Sequence, residues 1–446
     1  MFRRSEIQAS DVHSTLRKHM LVDGYPMVVD LENSKESWIR DLVSGRLYLD
    51  FFSFFASNPI GMNHPSMLDP DVTSRIATAG VQKVSNADYY TRYMAEFVDT
   101  LSRSAAPPEL PHFFFVDGGA LAVENAMKAA FDWKVKKNRA AGKTGDKGQQ
   151  ILHFEDAFHG RSGYTLSVTN TDPVKTDLFP KFPWPRVSSP AIRFPLEGTH
   201  LAQVIEAEQR SLREIEQAFD QHPDDIAAIL IEPIQAEGGD NHFRGEFLHQ
   251  LRRIANEREA LLIFDEVQTG MGLTGKWWAY QHFGVVPDIL CFAKKMQLGG
   301  MFAGPRLDEV KDNVFHVPSR INSTFGGSLV DMVRTTHILE IIENEQLLAN
   351  AAERGAELLA GLHAMEERFS VVTNARGRGL MCAIDLPNHE LRNKVVQRCF
   401  EDGMIVLKCG THSVRFRPTL TVTADAIEEG VKRLATETGA GQWGSA

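Results

Sequence analysis

Two adjacent lysines, Lys294 and Lys295, follow directly on the apolar run from Asp288 to Phe292 and precede Met296-Gln297-Leu298-Gly299-Gly300. Lysine is seldom buried, so amines this close to a buried strand are unusual. A surface pair is one reading; a desolvated amine able to form a Schiff base is the other. Asp265 closes a second apolar run, Leu261 to Phe264. A carboxylate there is costly unless it meets a cation, although capping the following turn is an equally ordinary role. A third run, Phe113 to Val116, leads into Asp117-Gly118-Gly119-Ala120 and then a helical pattern. Small residues at a helix start let backbone N–H groups approach a phosphate, or simply make a tight turn.

Two further runs also end in polar residues. Ile151 to Phe154 leads to Phe158, His159 and Arg161, types that stack on rings or meet anions. Ala227 to Ile231 leads to Glu232, Glu237 and Asp240, read either as a cation site or as hydrogen-bonded loop carboxylates. Glu155, Asp156 and His159 have no metal-ligand spacing, so no metal is expected. Each signal is weak alone. Together they supply a phosphate turn, an amine, and an aspartate about 30 residues before it, which suits pyridoxal phosphate.

The elements that must position these groups are legible in the pattern. Five near-continuous apolar runs separated by helical stretches predict a mostly parallel sheet covered on both faces, an α/β fold. Ligands of such sheets bind beyond the carboxyl ends of the strands, where the polar groups lie. After about Phe325 the pattern changes to two long helical stretches, Asp331 to Glu345 and Leu348 to Phe369, then short alternating segments. That predicts a smaller α+β domain. The C-terminal GAGQWGSA is expected to be mobile.

The remaining features exclude other classes. With 48 basic and 58 acidic residues, the formal charge is −10, against a nucleic-acid binder. No apolar leader or transmembrane run is visible, so neither export nor a membrane partner is expected. The four cysteines form no C-x-x-C pair and fit reduced thiols in a cytoplasmic protein. Gly142-Lys143-Thr144 lacks the upstream glycine and strand of a P-loop. Asn322-Ser323-Thr324 matches a glycosylation sequon, without meaning off the secretory route.

The segments DGGALAVENAMKAAF, DAFHGRSGYTLS, LIEPIQAEGGD, LLIFDEVQTG, FAKKMQLGG, NSTFGG, RGRGLM and VRFRPTLTV resemble the class III aminotransferases of fold type I, from about Phe113 to Val422. The resemblance implies a large sheet domain (61–325), a small C-terminal α+β domain (326–446) and an N-terminal segment (1–60) packing with the latter. It implies pyridoxal 5′-phosphate, with Lys295 as the Schiff-base lysine, taken as four residues before the glycine pair. Asp265 would pair with the ring nitrogen, Phe158 and Val267 would sandwich the ring, and Gln268 would contact its phenolic oxygen. Gly119 and Ala120 would hold the phosphate through backbone amides. Thr324 would reach the phosphate of a neighbouring subunit, making a homodimer with shared sites. Gly118 stands where many relatives have serine, so one hydroxyl contact is lost. HGRSGYTLSVTNTDPVKTDLFPKFPWPR and EVKDNVFHVPSRINSTFGG are most similar to members acting on the terminal amine of L-lysine with 2-oxoglutarate as acceptor. Members acting on 4-aminobutyrate or ornithine are the alternative. Arg161 would clamp the distal carboxylate and Arg415 the α-carboxylate of 2-oxoglutarate, with Glu237 masking Arg415 when lysine is bound. Phe55 and Asn322 are expected donor contacts.

Overall fold

The computed structural model describes residues 6–439. Seven strands form the main sheet: β1 His112–Val116, β2 Gln150–Phe154, β3 Arg186–Val187, β4 Ile226–Ile231, β5 Leu261–Asp265, β6 Ile289–Phe292 and β7 Gly299–Ala303. Their order is β1-β7-β6-β5-β4-β2-β3. Strands β6, β5, β4, β2 and β3 pair in parallel, while β7 runs antiparallel to both β6 and β1. The five apolar runs are thus β1, β2, β4, β5 and β6, within a mixed α/β architecture. Strands β3 and β7 carry no such signal, β3 because it is two residues long and β7 because two of its five residues are glycine.

Every residue of β4, β5, β6 and β7 is buried. Alternate residues feed two different cores, as the two-residue period of a strand requires. Ala228, Leu230, Leu261, Ile263, Ile289 and Cys291 pack with Val123, Ala126, Met127 and Trp133 of the helix Gly119–Ala140. Ile229, Ile231, Leu262, Phe264, Leu290 and Phe292 join the opposite core with Phe247, Leu251 and Ile254 of the helix Gly245–Glu257. Burying each such side chain contributes about 1.5–3 kcal/mol. That double burial is why the strands read as unbroken apolar runs.

A second sheet contains β8 Thr373–Arg378, β9 Met381–Asp385, β10 Leu407–Cys409 and β11 Ser413–Phe416, in the order β8-β9-β11-β10. The two long C-terminal helices are Leu329–Asn344 and Leu347–Arg368, close to the predicted spans. Near the N-terminus, Trp38–Arg40 pairs with Leu47–Asp50, which pairs in turn with Met404–Ile405. The final helix ends at Gly439, and the rest of the tail expected to be mobile lies outside the described residues.

The second sheet grips the loop that follows β4. Arg417, with no exposed surface, donates Nη2 and Nη1 to Asp240 at 2.5 and 2.8 Å. Arg376 Nε donates to the Asp240 carbonyl at 3.0 Å, and the Gly410 amide to the Glu237 carbonyl at 2.9 Å. Buried charge pairs of this kind are stable only when hydrogen-bonded on both sides, and these are. The loop carrying Glu237 is therefore registered against β11, which carries Arg415.

Candidate active site

A cavity of about 460 Å³ opens at the carboxyl ends of β1, β2, β4, β5 and β6. Its floor and walls come from the turn after each strand. After β1, Gly118 takes φ +88°, a left-handed conformation that favours glycine, and starts the 22-residue helix Gly119–Ala140. The first bond closing that helix is Ala122 N–H to the Gly118 carbonyl at 3.2 Å. The N–H groups of Gly119 and Ala120 have no acceptor among the described residues. Both residues line the cavity, so an anion there meets free donors and the positive end of a helix. A Cβ on Gly119 would press within 3.1 Å of Val267.

Asp265 is the last residue of β5 and is 4% exposed. Its Oδ1 accepts the Val267 N–H at 3.0 Å, so it does cap the turn. Its Oδ2 lies 2.8 Å from His159 Nδ1, so it also has a buried polar partner, 106 residues away. His159 is held by its own N–H on Thr169 Oγ1 at 2.8 Å, and its Nε2 is buried without a partner. Beside them, Glu232 accepts the N–H groups of Phe158 and Ala236 at 3.0 and 3.1 Å. Burial, reinforced by the charge of Asp265, pushes the Glu232 carboxyl up to about 7. Phe158, Val267 and the Gln268 side chain complete this wall.

The lysine expectation needs correction. Lys295 is 3% exposed and does not line the cavity, its Nζ donating to the Gln268 carbonyl at 3.1 Å. The charges it feels are Arg417, Lys294 and Glu266. Lys294 lines the cavity, and the charges it feels are those of the site: Arg415, Asp265, Glu237 and Glu232. Among the described residues its Nζ has no hydrogen bond or ion pair. Burial, followed by the charge of Arg415, lowers its pKa and favours the neutral amine. Its backbone sits at φ +49°, a sparsely populated conformation for a non-glycine residue. Counting back from the glycine pair misled because that pair belongs to β7. Gly299 is there because a Cβ would sit 2.3 Å from the Gly118 carbonyl, which says nothing about the loop length back to the amine. Counting forward from the end of β6 gives Lys294 as the first lysine.

Near enough to act on the charge of Lys294, Glu237 Oε2 accepts Arg415 Nη2 at 2.6 Å and Oε1 accepts Lys175 Nζ at 2.6 Å. Burial raises the Glu237 carboxyl, but Arg415 and Lys175 outweigh it and hold it below the usual range. Arg415 is 1% exposed, and its Nε and Nη1 are buried without partners. Buried donors are normally paired, so the guanidinium retains capacity for a second anion. Arg161 is exposed, lines the cavity and has no partner among the described residues.

Six expected residues do not line this cavity: Lys295, Glu237 and Arg415, described above, and Phe55, Asn322 and Thr324. Phe55 is 52% exposed and packs on Phe52 with ring centroids 4.6 Å apart. It belongs to a left-handed turn, Ser53 to Ala56, with φ between 41° and 61°. That turn is held by Ser53 Oγ on the Arg417 carbonyl at 2.6 Å and Ser53 N–H on Asp50 at 2.8 Å. Asn322 and Thr324 are exposed, and the Thr324 carbonyl accepts Ser85 Oγ at 2.5 Å. Lys143 of the glycine-lysine loop pairs with Asp224 at 2.6 Å, a surface ion pair. Sequence reasoning missed Lys175, passed over Lys294 in favour of Lys295 and left His159 ambiguous. Among the described residues no group of three or more His, Cys, Asp or Glu is arranged to hold a metal ion.

The sequence model of the class-III aminotransferases matches residues 20–437. The chain belongs to the class-III aminotransferases. It is 52% identical to the L-lysine-epsilon aminotransferase of Amycolatopsis lactamdurans over 435 residues, 96% of this chain and 95% of the relative. The human mitochondrial 4-aminobutyrate aminotransferase is 33% identical, over 87% of this chain and 80% of its own. A solved lysine aminotransferase from M. tuberculosis, in its internal aldimine form, superposes with a TM-score of 0.95 at 48% identity, covering 97% of this chain and 100% of that one. Its fold is thus that of the fold type I aminotransferases, and its cofactor is pyridoxal 5′-phosphate. The cavity fits that group: free N–H donors for a phosphate, apolar side chains beside it, a buried carboxylate, and an unpartnered amine. No described helix is long and apolar enough to cross a membrane.

Proposed function

We propose that this aminotransferase moves the terminal amine of L-lysine to 2-oxoglutarate, giving 2-aminoadipate 6-semialdehyde and L-glutamate. The observation that carries this is two guanidinium groups in different states, Arg161 on the cavity wall and Arg415 close enough to act on the charge of Lys294 there. Among the described residues Arg161 has no partner, while Arg415 is masked by Glu237 with two donors to spare. Such a site suits two substrates used in turn. L-lysine carries one carboxylate, far from the reacting amine; 2-oxoglutarate carries one far and one adjacent. Arg161 would clamp the far carboxylate of each, and Arg415 the adjacent one, by paired N–H···O bonds. The high identity to L-lysine-epsilon aminotransferases over nearly the whole chain supports lysine over 4-aminobutyrate. The test is a panel of L-lysine, L-ornithine and 4-aminobutyrate with 2-oxoglutarate, scored by glutamate formed. Lysine is expected to give the highest kcat/KM; a faster rate with either alternative overturns the donor.

The cofactor, when bound, supplies a carbonyl that accepts the amino group and a ring that withdraws electrons from the carbon losing its proton. The chain supplies the rest. Lys294, whose pKa is lowered by burial and by Arg415, would be the amine that holds the cofactor and that carries the proton from the donor carbon. Asp265 would face the ring nitrogen, oriented by His159 and the Val267 amide. Phe158 and Val267 would flank the ring, Gln268 would donate to its phenolic oxygen, and Gly119 and Ala120 would hold the phosphate. Asp265→Asn is expected to keep the fold but weaken cofactor affinity and turnover, since a hydrogen bond to a charged group contributes about 1.5–3 kcal/mol. Cofactor titration by absorbance checks this; wild-type affinity and rate would reduce Asp265 to a turn cap.

The same proposal includes a homodimer in the cytoplasm. Thr324 is exposed and off its own cavity, as suits a residue that reaches the phosphate in a second copy, with Asn322 and Phe55 as donor contacts. Four buried free thiols suit a reducing compartment. The division at 60 and 325 is proposed on the placement of the main sheet within 112–303 and the second sheet within 373–416.

A further inference from the structure

Lys175 is a charged residue that the chemistry above does not use. It sits on the short helix Pro173–Thr176, whose start is capped by Asp172 Oδ1 on the Val174 N–H at 3.0 Å. Its Nζ lies 2.6 Å from Glu237 Oε1 and 5.4 Å from the centroid of the Phe158 ring. Glu237 therefore spans two cations from opposite parts of the chain, one carboxylate oxygen on each. The two cations differ. The Arg415 side chain is 1% exposed on a sheet strand, whereas Lys175 is 20% exposed on a four-residue helix. Arg415 is enclosed in the fold, while Lys175 has solvent beside it.

We propose that Lys175 is the second post of the gate, retaining Glu237 when a substrate carboxylate takes Arg415. It would thereby set how readily the enzyme accepts 2-oxoglutarate. This rests on the reading of Glu237 as a mask over Arg415. With the mask in place, two cations share one carboxylate. When the α-carboxylate of 2-oxoglutarate arrives, there are two cations and two anions, and each finds a partner: substrate with Arg415, Glu237 with Lys175. Without Lys175 the displaced Glu237 has no counter-ion beside an incoming anion, and repulsion in a partly desolvated site is strong. It would also hold Arg415 more tightly, because nothing competes for it. L-lysine leaves Glu237 where it is, so the donor half-reaction does not depend on Lys175 in this way. Lys175 is thus a positioning residue, acting on the acceptor through Glu237.

The test uses the pyridoxal phosphate holoenzyme and follows each half-reaction by stopped flow. Lys175→Met is expected to raise the apparent Kd for 2-oxoglutarate about 5- to 30-fold, a typical coupling between sites. The apparent Kd for L-lysine should change by less than about twofold, and Lys175→Arg should restore the acceptor. In a Glu237→Ala background, adding Lys175→Met should move 2-oxoglutarate affinity by less than about twofold. Unchanged acceptor affinity in Lys175→Met overturns the proposal, as does an equal loss for both substrates. The same loss in the Glu237→Ala background also overturns it, since Lys175 would then act on the substrate directly. Glu237→Ala alone separates the underlying reading: if it damages both half-reactions equally with Lys175 present, the mask itself is wrong.

Discussion

Replacing Lys294 with Ala should abolish turnover and the absorbance of the covalently held cofactor, while Lys295→Met leaves both largely intact. Lys294 is the amine on the cavity wall, without a partner and with its pKa lowered by burial and by Arg415. Losing a positioned proton carrier alone costs about 10²- to 10⁴-fold in rate, and loss of the covalent attachment point adds to that. Lys295 makes one bond, to the Gln268 carbonyl, from a buried position that does not line the cavity. Methionine conserves its volume, and an unsatisfied carbonyl costs about 1–3 kcal/mol, so the expected effect is on stability. Absorbance spectra, single-turnover rates and thermal melts of the two variants separate these roles. A folded Lys295→Met enzyme without activity, beside an active Lys294→Ala, would reverse the assignment.

Arg415→Ala should cripple the 2-oxoglutarate half-reaction first. Truncating one partner of a buried, hydrogen-bonded charge pair costs about 2–5 kcal/mol, which is about 30-fold to several thousand-fold in rate. The donor half-reaction should suffer far less, because Arg415 is masked by Glu237 when lysine is bound. Glu237→Ala should do the converse. With Arg415 permanently open, L-lysine can bind in reverse, its α-carboxylate on Arg415 and its α-amine at the reacting position, while glutamate and 2-oxoglutarate lose little. Following both half-reactions by stopped flow checks the pair. Equal damage to both in each variant would leave Glu237 and Arg415 as a structural ion pair.

Much of this site could be seen before any fold was built. Double burial of β1, β2, β4, β5 and β6 wrote itself into the sequence as apolar runs, because a strand with helices on both faces tolerates few polar side chains. Polar groups were then forced to the strand ends, and Asp265, Phe158, Arg161, Gly119 and Ala120 followed from that rule. Strand β7 was illegible because its glycines are demanded by close contact, Gly299 with the Gly118 carbonyl and Gly300 with the Phe114 carbonyl and the Phe292 ring, which erases the strand signal. The left-handed turn at Ser53 to Ala56 left no glycine to mark it, since its support comes from Asp50 and from Arg417 far along the chain.

The sequence by itself determined the five apolar strands of the main sheet, the chemical kind of each group at their ends, and hence the class of cofactor. Those depend on residue type and on periods of two or three to four, which are local properties. Only the tertiary structure decided which group meets which. Lys294 and Lys295 are chemically identical neighbours, and their fates part because a tight turn with φ +49° at Lys294 aims one amine into the cavity and the other at the Gln268 carbonyl. His159 meets Asp265 across 106 residues, and Glu237 meets Lys175 across 62 and Arg415 across 178. Contacts over such separations are set by how β2, β4, β5 and β11 are stacked and registered, and no spacing along the chain encodes a direction in space.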